Sequence, residues 1–429
     1  MRSPHPVAAD SDTAETPGAI VGPLAGIRVL EMGRAVAAPL AAQTLAEWGA
    51  DVIKIERTGG GDYVRQLGPP YVTSDAGQMR DESSLFSTVN RGKRSLQVDH
   101  SLPDGQRVIR DLAAISDVLI ENYKVGSLHR YGLDAESLRT VNPALVYCSI
   151  SGYGQDGPHR DRAAVDTVVQ ARSGMMSLTG PADSDGQRAG FYAVDILAGQ
   201  QAAAAILAAL VGVKAGGSGV HLDVSLLDVA ISAMAHRTQE YLLSGLVPTR
   251  AGNESTAVPI GGPIRCQDGI IMVQASTDAR FALLCRAIDR EDLATRFACR
   301  EERLAGKAEL LRTLEEHFGA RTCAQWCELL DEAGLVCAPV LDIEQVLADP
   351  QVRHRRLVRH YRHPLGGSVP AVRQPVLIDG VAAPVLPLPP VGGHTEEILR
   401  DLLGLNGSAI TRMVDSGAIG LGSSREEGR

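Results

Sequence analysis

Apolar residues along this chain fall into short continuous blocks separated by stretches of helical spacing. "GIRVLEMG" (26–33) and "ADVIKIE" (50–56) are runs of strand formers bounded by glycine or charge, and such runs predict strands buried on both faces. Between them, "PLAAQTLAEWG" (39–49) opens with proline and closes with glycine, the asymmetry expected of a helix. Strand, helix and strand within about 30 residues make a βαβ unit, which requires a parallel sheet. "DGQRVIRDLAAISDVLIENY" (104–123) repeats helix then strand, and "NPALVYCSISGYG" (142–154) adds another strand. Residues 22–228 therefore predict one large α/β domain, an open parallel sheet covered by helices.

The pattern changes beyond 228. "GPIRCQDGIIMVQAS" (262–276) reads as a hairpin turning at Asp268–Gly269, and amphipathic stretches such as "KAELLRTLEEHF" fill 278–335. Residues 229–349 thus predict a smaller α+β domain. From 350 to 429 the chain is rich in Pro, Gly and Val before a helix at "TEEILRDLLGL" (395–405), a C-terminal segment expected to return to the large domain. Residues 1–21 carry no apolar block and predict a disordered tail, not a secretory leader. The span 196–213 is uncharged, but two glutamines, two glycines and seven alanines make it too weakly apolar for a membrane span. A helix buried in a soluble, cytoplasmic protein is the expectation, with no membrane partner.

Composition narrows the classes of function. Of 429 residues 44% are hydrophobic and 22% charged, which describes a folded chain long enough for two domains. A net charge of -9 argues against nucleic acid as the main partner. Only five of the 42 cationic residues are lysine (54, 93, 124, 214, 307), and arginine suits bidentate recognition of phosphate or carboxylate, although a compositional habit explains the bias equally well. Seven cysteines form no CxxC; Cys323 and Cys327 share a helix face without accompanying ligands, so no metal site is expected and the thiols read as reduced.

Candidate chemistry centres on "AVDILAGQQAAAAILAAL" (193–210), where Asp195 stands at the mouth of the most apolar stretch. Two readings are open. Asp195 caps the helix, or it is an uncrowded nucleophile among Gly190, Ala193, Ala198 and Gly199, held ionised by the helix dipole. Asp166 is a second acid, with an ion pair to Arg162 as its plain explanation. Glu56 ends a strand where a ribose-binding acid would sit, but the turn before it, "MGRAVAAPL", has Gly33 as its only glycine, so a dinucleotide site is disfavoured. "ERTGGGDYVR" (56–65) lacks the ending of a P-loop. "NRGKRSL" (90–96) is a solvated surface run or, with Arg57, Arg130 and Arg162 at strand ends, part of a polyanion site. The basic run "VRHRRLVRHYRH" (352–363) reads as surface, or as a contact between subunits.

These segments together resemble family III CoA-transferases, the group holding formyl-CoA and carnitine CoA-transferases and the related α-methylacyl-CoA racemases. The likeness runs from "GPLAGIRVLEMGRAVAAPLAAQTLAEWGADVIKIE" through "NRGKRSLQVD", "DVLIENYKVGSLHRYGL", "LVYCSISGYGQDGPHRDR" and "VDTVVQARSGMMSLTG" to "PPVGGHTEEILRDLLGL". It implies an open Rossmann-like sheet, an interlocked homodimer, and acyl-CoA and small carboxylic acids as substrates, with no tightly bound cofactor. The family's nucleophilic aspartate falls on Asp195. Its coenzyme A contacts fall on Val36, Ala37, Arg57, Val98, Asn122, Tyr123 and Arg130, with Arg162 replacing a lysine. Formate- and oxalate-handling members carry Gln where this chain has Val36, which disfavours that acid pair. Their glycine-rich loop is reduced here to "PIGGP" (259–263), whose Gly261 and Gly262 would supply oxyanion donors, as would the N–H groups of 196–198. Racemases place His before the acid matching Asp166; here Val165 carries no proton, so the resemblance favours a transferase over a racemase. A non-catalytic CoA-binding module is the alternative from another class.

Overall fold

Seven strands form the central sheet of the computed structural model, which describes residues 22–253 and 260–422. In chain order the elements that matter here are β1 (Arg28–Glu31), α1 (Ala37–Glu47), β2 (Asp51–Glu56), β3 (Arg94–Val98), α2 (Pro103–Ala114), β4 (Val118–Glu121) and β5 (Val146–Ser151). They are followed by α3 (Asp166–Arg172), α4 (Ala193–Lys214), β6 (His221–Ser225), α5 (Leu226–Ala233), α6 (Thr395–Asp401), α7 (Gly407–Asp415) and β7 (Ile419–Gly420). The expected tail 1–21 lies outside the described residues, as does Pro259.

The strand order is β7-β3-β2-β1-β4-β5-β6, and every pairing is parallel except β7 against β3. Without its edge strand β7 the order is 3-2-1-4-5-6, that of dinucleotide-binding sheets, with the reversal of direction between β1 and β4. Val29, Leu30, Ile53, Leu96, Leu119 and Ile120 are fully buried, as strands covered on both faces require. On one core Leu112 of α2, Ile398 and Leu399 of α6 and Met413 of α7 pack against these strands. The sequence reading missed α7, and it missed β7 because two residues carry no periodicity.

Helix α4 is long and apolar enough to cross a membrane by length and composition. It packs instead on α1, α5, β5 and β6, burying Ala198, Gly199, Ala202, Ala203, Ile206 and Leu210. Gly199 sets the approach: a Cβ there would stand 2.8 Å from the carbonyl oxygen of Ala37 and 3.1 Å from the Leu40 side chain. Only glycine lets the first turns of α1 and α4 lie this close.

The chain divides into two compact units. The first holds the described parts of Met1–Ser173, Gly190–Ala235 and Arg355–Arg429; the second holds Gly174–Ala189 and His236–His354. A continuous large domain over 22–228 is therefore interrupted at Gly174–Ala189. The Arg250 side chain explains this, donating to the carbonyls of Ser177 (3.0 Å), Pro181 (3.3 Å) and Ser184, while Gly252 N–H donates to Gly180 O at 3.0 Å. The second unit has an antiparallel sheet of Gly261–Arg265, Ile270–Gln274 and Val336–Pro339 over a core that includes Phe281, Leu314, Phe318 and Trp326. The hairpin turns at 266–269 as expected, with Arg265 opposite Ile270. Gly261 and Gly262 are not loop residues: they belong to its edge strand, opposite Gln274 and Val273.

Candidate active site

Polar side chains from the start of β3 join those at the carboxyl ends of β1 and β2, where open α/β sheets bind ligands. Six charged groups there are buried and joined. Lys54 Nζ lies 2.9 Å from Glu31 Oε1, 3.2 Å from Asp62 Oδ2 and 2.9 Å from the Gly33 carbonyl. Lys93 Nζ lies 2.7 Å from the other Glu31 oxygen and donates to Pro39 O. Arg65 grips Glu56 with two bonds of 2.7 and 2.6 Å. Burial alone pushes the Glu56 carboxyl up, but Arg65, Lys54 and Ser95 more than offset it and hold the pKa at about 2. Burial lowers Lys93 to about 7. Unpaired ions in such a place cost several kcal/mol each, so the pairing is what permits the arrangement. It ties the turn after β1 and the glycine loop 59–61 to the same buried charges.

Glu56 faces inward and is spent on Arg65, Ser95 and Asp62 N–H, so it offers nothing to a ribose. Two expectations are overturned. Arg91, Lys93 and Arg94 are neither a solvated run nor a polyanion site: they pair with Glu47, Glu31, and Asp51 with Glu397. No Arg162–Asp166 ion pair forms, because the Asp166 oxygens are occupied by backbone N–H groups and Gln170.

At the reversal between β1 and β4 the loops clasp each other. Arg34 N–H donates to Asn122 Oδ1 at 3.0 Å, and Asn122 Nδ2 returns a bond of 2.9 Å to Arg34 O. The Arg34 guanidinium lies 5.0 Å from the centre of the Tyr123 ring and 3.4 Å from its hydroxyl. His100 packs edge-on against Tyr123 and Tyr131 at 5.3 and 5.2 Å, and Arg130 lies over Tyr131 at 4.7 Å. Burial lowers the His100 pKa, and the charges of Arg34 and Arg130 lower it further, against the pull of Asp99. The result is an electropositive, aromatic-lined edge suited to a phosphate-bearing nucleotide.

The sequence candidates divide accordingly. Asn122, Tyr123 and Arg130 come together here; Val36 and Ala37 form the buried start of α1. Arg57 is exposed at the end of β2, and its guanidinium makes no ion pair among the described residues. Val98 is fully buried in the core beside Ile419, so its side chain is closed to any ligand; His100, two residues on, is the group that reaches this edge. Arg162 is exposed in the turn before α3, and no contact among the described residues joins it to the others. Sequence reading missed Arg34, His100 and Tyr63. Arg34 carried one signal, as the sole cation in the turn after β1, which becomes meaningful only once the strand order places the reversal there.

Asp195 is the third residue of α4 and does not cap it. The cap comes from Asp166, whose Oδ2 accepts the N–H groups of Val194 (2.8 Å) and Asp195 (3.1 Å) while Gln170 donates to Oδ1 at 2.5 Å. Ile196 N–H is taken by Tyr192 O at 3.0 Å, and 197 and 198 lie within the helical ladder. The N–H groups at 196–198 are therefore not free for an oxyanion. Nor does the helix hold Asp195 charged in the ordinary range: burial, then the nearby Asp166 carboxylate, pushes its pKa up to about 7. Asp195 is half-buried, accepts no hydrogen bond and forms no ion pair among the described residues. Tyr63, 56% exposed, stands on a short 3-10 turn that Asp62 caps through Val64 N at 3.1 Å. Its hydroxyl feels Asp62, Asp195, Arg34 and Tyr192, and burial first, then the two carboxylates, keep it protonated. Exposed Tyr192, Ile196 and Leu197 flank Asp195 with apolar surface.

A dinucleotide-type strand order without the dinucleotide glycines, with an unpaired carboxylate at the head of α4, places the chain among open α/β proteins. The chain belongs to CoA-transferase family III, whose family model matches residues 24–395. It is similar to the succinate–glutarate CoA-transferase of Agrobacterium fabrum, 38% identical over 386 residues, covering 89% of this chain and 96% of that one. The human succinyl-CoA:glutarate CoA-transferase is 34% identical, covering 93% and 90%. A CAIB/BAIF family protein from Brucella suis has a similar fold in its crystal structure, with a TM-score of 0.81, 35% identity, and coverage of 89% of this chain and 99% of that one.

Proposed function

We propose that this protein moves coenzyme A between two dicarboxylic acids, with succinyl-CoA as donor and glutarate as acceptor, through covalent intermediates on Asp195. The observation that carries this reading is the half-buried Asp195 carboxylate, without cation or hydrogen-bond donor, at the head of α4 beside the electropositive edge of the sheet. The named activities of the similar enzymes supply the acids.

An Asp195 carboxylate oxygen attacks the thioester carbonyl carbon; the C–S bond breaks and its electron pair leaves on CoA thiolate. The product is an aspartyl–succinyl mixed anhydride. The thiolate then attacks the Asp195 carboxyl carbon, releasing succinate and leaving an aspartyl-CoA thioester. Glutarate attacks that carbon and expels the thiolate, which takes the glutaryl group from the new anhydride and regenerates Asp195. One thioester replaces another, so no nucleoside triphosphate is consumed. The side chains need only orient the reactants and stabilise the tetrahedral oxyanions. Arg57, Arg130, Tyr123 and His100 hold the nucleotide end, and the Tyr63 hydroxyl supplies a donor that the helix N–H groups cannot.

Val165, 61% exposed before Asp166, offers no second base, which supports the transferase over a racemase. Purified protein with succinyl-CoA and glutarate is expected to form glutaryl-CoA and succinate, and Asp195→Ala to lose this by at least ~1000-fold. Product formation undiminished in Asp195→Ala contradicts the assignment.

A further inference from the structure

The acids named above each carry a second carboxylate, and nothing said so far holds it. Arg34 is the cation placed to do so. Its backbone is fixed on both sides by the Asn122 amide, at 3.0 and 2.9 Å, and its guanidinium rests against the Tyr123 ring at 5.0 Å. The residue is exposed, and no carboxylate among the described residues pairs with it. Of the other cations at the carboxyl ends of β1 and β2, Lys54, Arg65 and Lys93 are neutralised internally, while exposed Arg57 makes no ion pair among the described residues.

Two independent observations bring Arg34 to Asp195. Arg34 lies three residues before Ala37, and Asp195 four residues before Gly199, and Gly199 touches Ala37 so closely that no Cβ fits. The last turn before α1 and the first turn of α4 therefore open side by side. Tyr63 also stands within the electrostatic reach of both Arg34 and Asp195. A short acid with one carboxyl on Asp195 then has the Tyr63 hydroxyl along its length and a guanidinium at its far end.

We infer that Arg34 binds the distal carboxylate of the dicarboxylic acid, with Tyr63 between it and the reacting end, and that this pair sets the preference for diacids over monoacids. The assignment rests on the transferase reading. A guanidinium fits a carboxylate through two parallel N–H bonds, and a site built for such a bond rejects the analogue that lacks it.

The test compares glutarate with glutaramate, the acid of the same length whose far carboxylate is a neutral amide, using full-length protein with succinyl-CoA as donor. Wild type is expected to favour glutarate in kcat/KM by about 10- to 100-fold. Arg34→Gln is expected to bring that ratio close to one, Arg34→Lys to leave it intermediate, and the KM for the CoA thioester to move less than threefold. A ratio that survives Arg34→Gln, or a loss shared equally by both acids together with a raised KM for the thioester, assigns Arg34 to the coenzyme and overturns the inference. A wild type that handles both acids equally overturns it while leaving the transferase standing. No transfer to either acid overturns the transferase reading itself.

Discussion

On the proposed mechanism, the protonation of Asp195 governs both activity and stability. Burial and the Asp166 charge raise its pKa to about 7, and only the ionised form attacks a thioester. In the free enzyme kcat/KM should therefore climb with pH along an acidic limb near 7. Asp166→Asn keeps an oxygen for the α4 N–H groups but removes the repelling charge, and should move that limb to lower pH. The same shift acts on folding. The native state holds a proton on Asp195 that the unfolded chain, with its ordinary carboxylate, gives up from about pH 4 upward. Its contribution to stability is thus present below about pH 4 and lost as pH rises through 7. Asp195→Asn, which never charges, should raise the melting temperature most at pH 8, less at pH 5 and hardly at all at pH 4; equal gains at all three values would refute the raised pKa. At this scale the sequence placed Asp195 at the head of a helix but misread its setting. "AVDILAG" shows a helix start with an aspartate, but nothing in it shows that Asp166, 29 residues earlier, already holds the N-terminal N–H groups.

Helix α4 meets α1 through small residues, and Gly199 is the tightest point, 2.8 Å from the Ala37 carbonyl by its absent Cβ. Gly199→Val must push the helices apart, and overpacking of this kind costs about 1–3 kcal/mol. Urea unfolding should show that loss, and transfer activity should fall more steeply than stability, because the turns bearing Arg34 and Asp195 separate. Retained activity with unchanged stability would mean the contact is slack. The βαβ units were legible because continuous apolar blocks and Pro/Gly boundaries specify them locally. What stayed hidden was long-range: "NRGKRSL" looks like a solvent-facing run, and only the fold brings Glu31, Glu47 and Asp51 to its cations.

The first unit draws its core from three separated stretches of chain. Ile398, Leu399, Ile410, Met413 and Ile419 are each at most 4% exposed within it, and β7 covers the edge of β3. A chain ending at His394 should lose this cover and be recovered in aggregates; a soluble, cooperatively melting product would show the C-terminal elements to be dispensable. A return of the segment 350–429 to the large domain was the expectation, although the sequence does not reveal which strand receives it. At the carboxyl ends of β1 and β4 the loops bearing Arg34 and Asn122 are joined to each other, and on that edge the proposed chemistry depends. The most direct measurement is to mix the protein with succinyl-CoA, quench with hydroxylamine or borohydride, and locate the modified residue by peptide mass spectrometry. The reaction proposed here predicts a hydroxamate, or a reduced side chain, at Asp195 alone, formed only when the thioester is present. Modification at Asp166, or none at Asp195 under conditions of turnover, would contradict it.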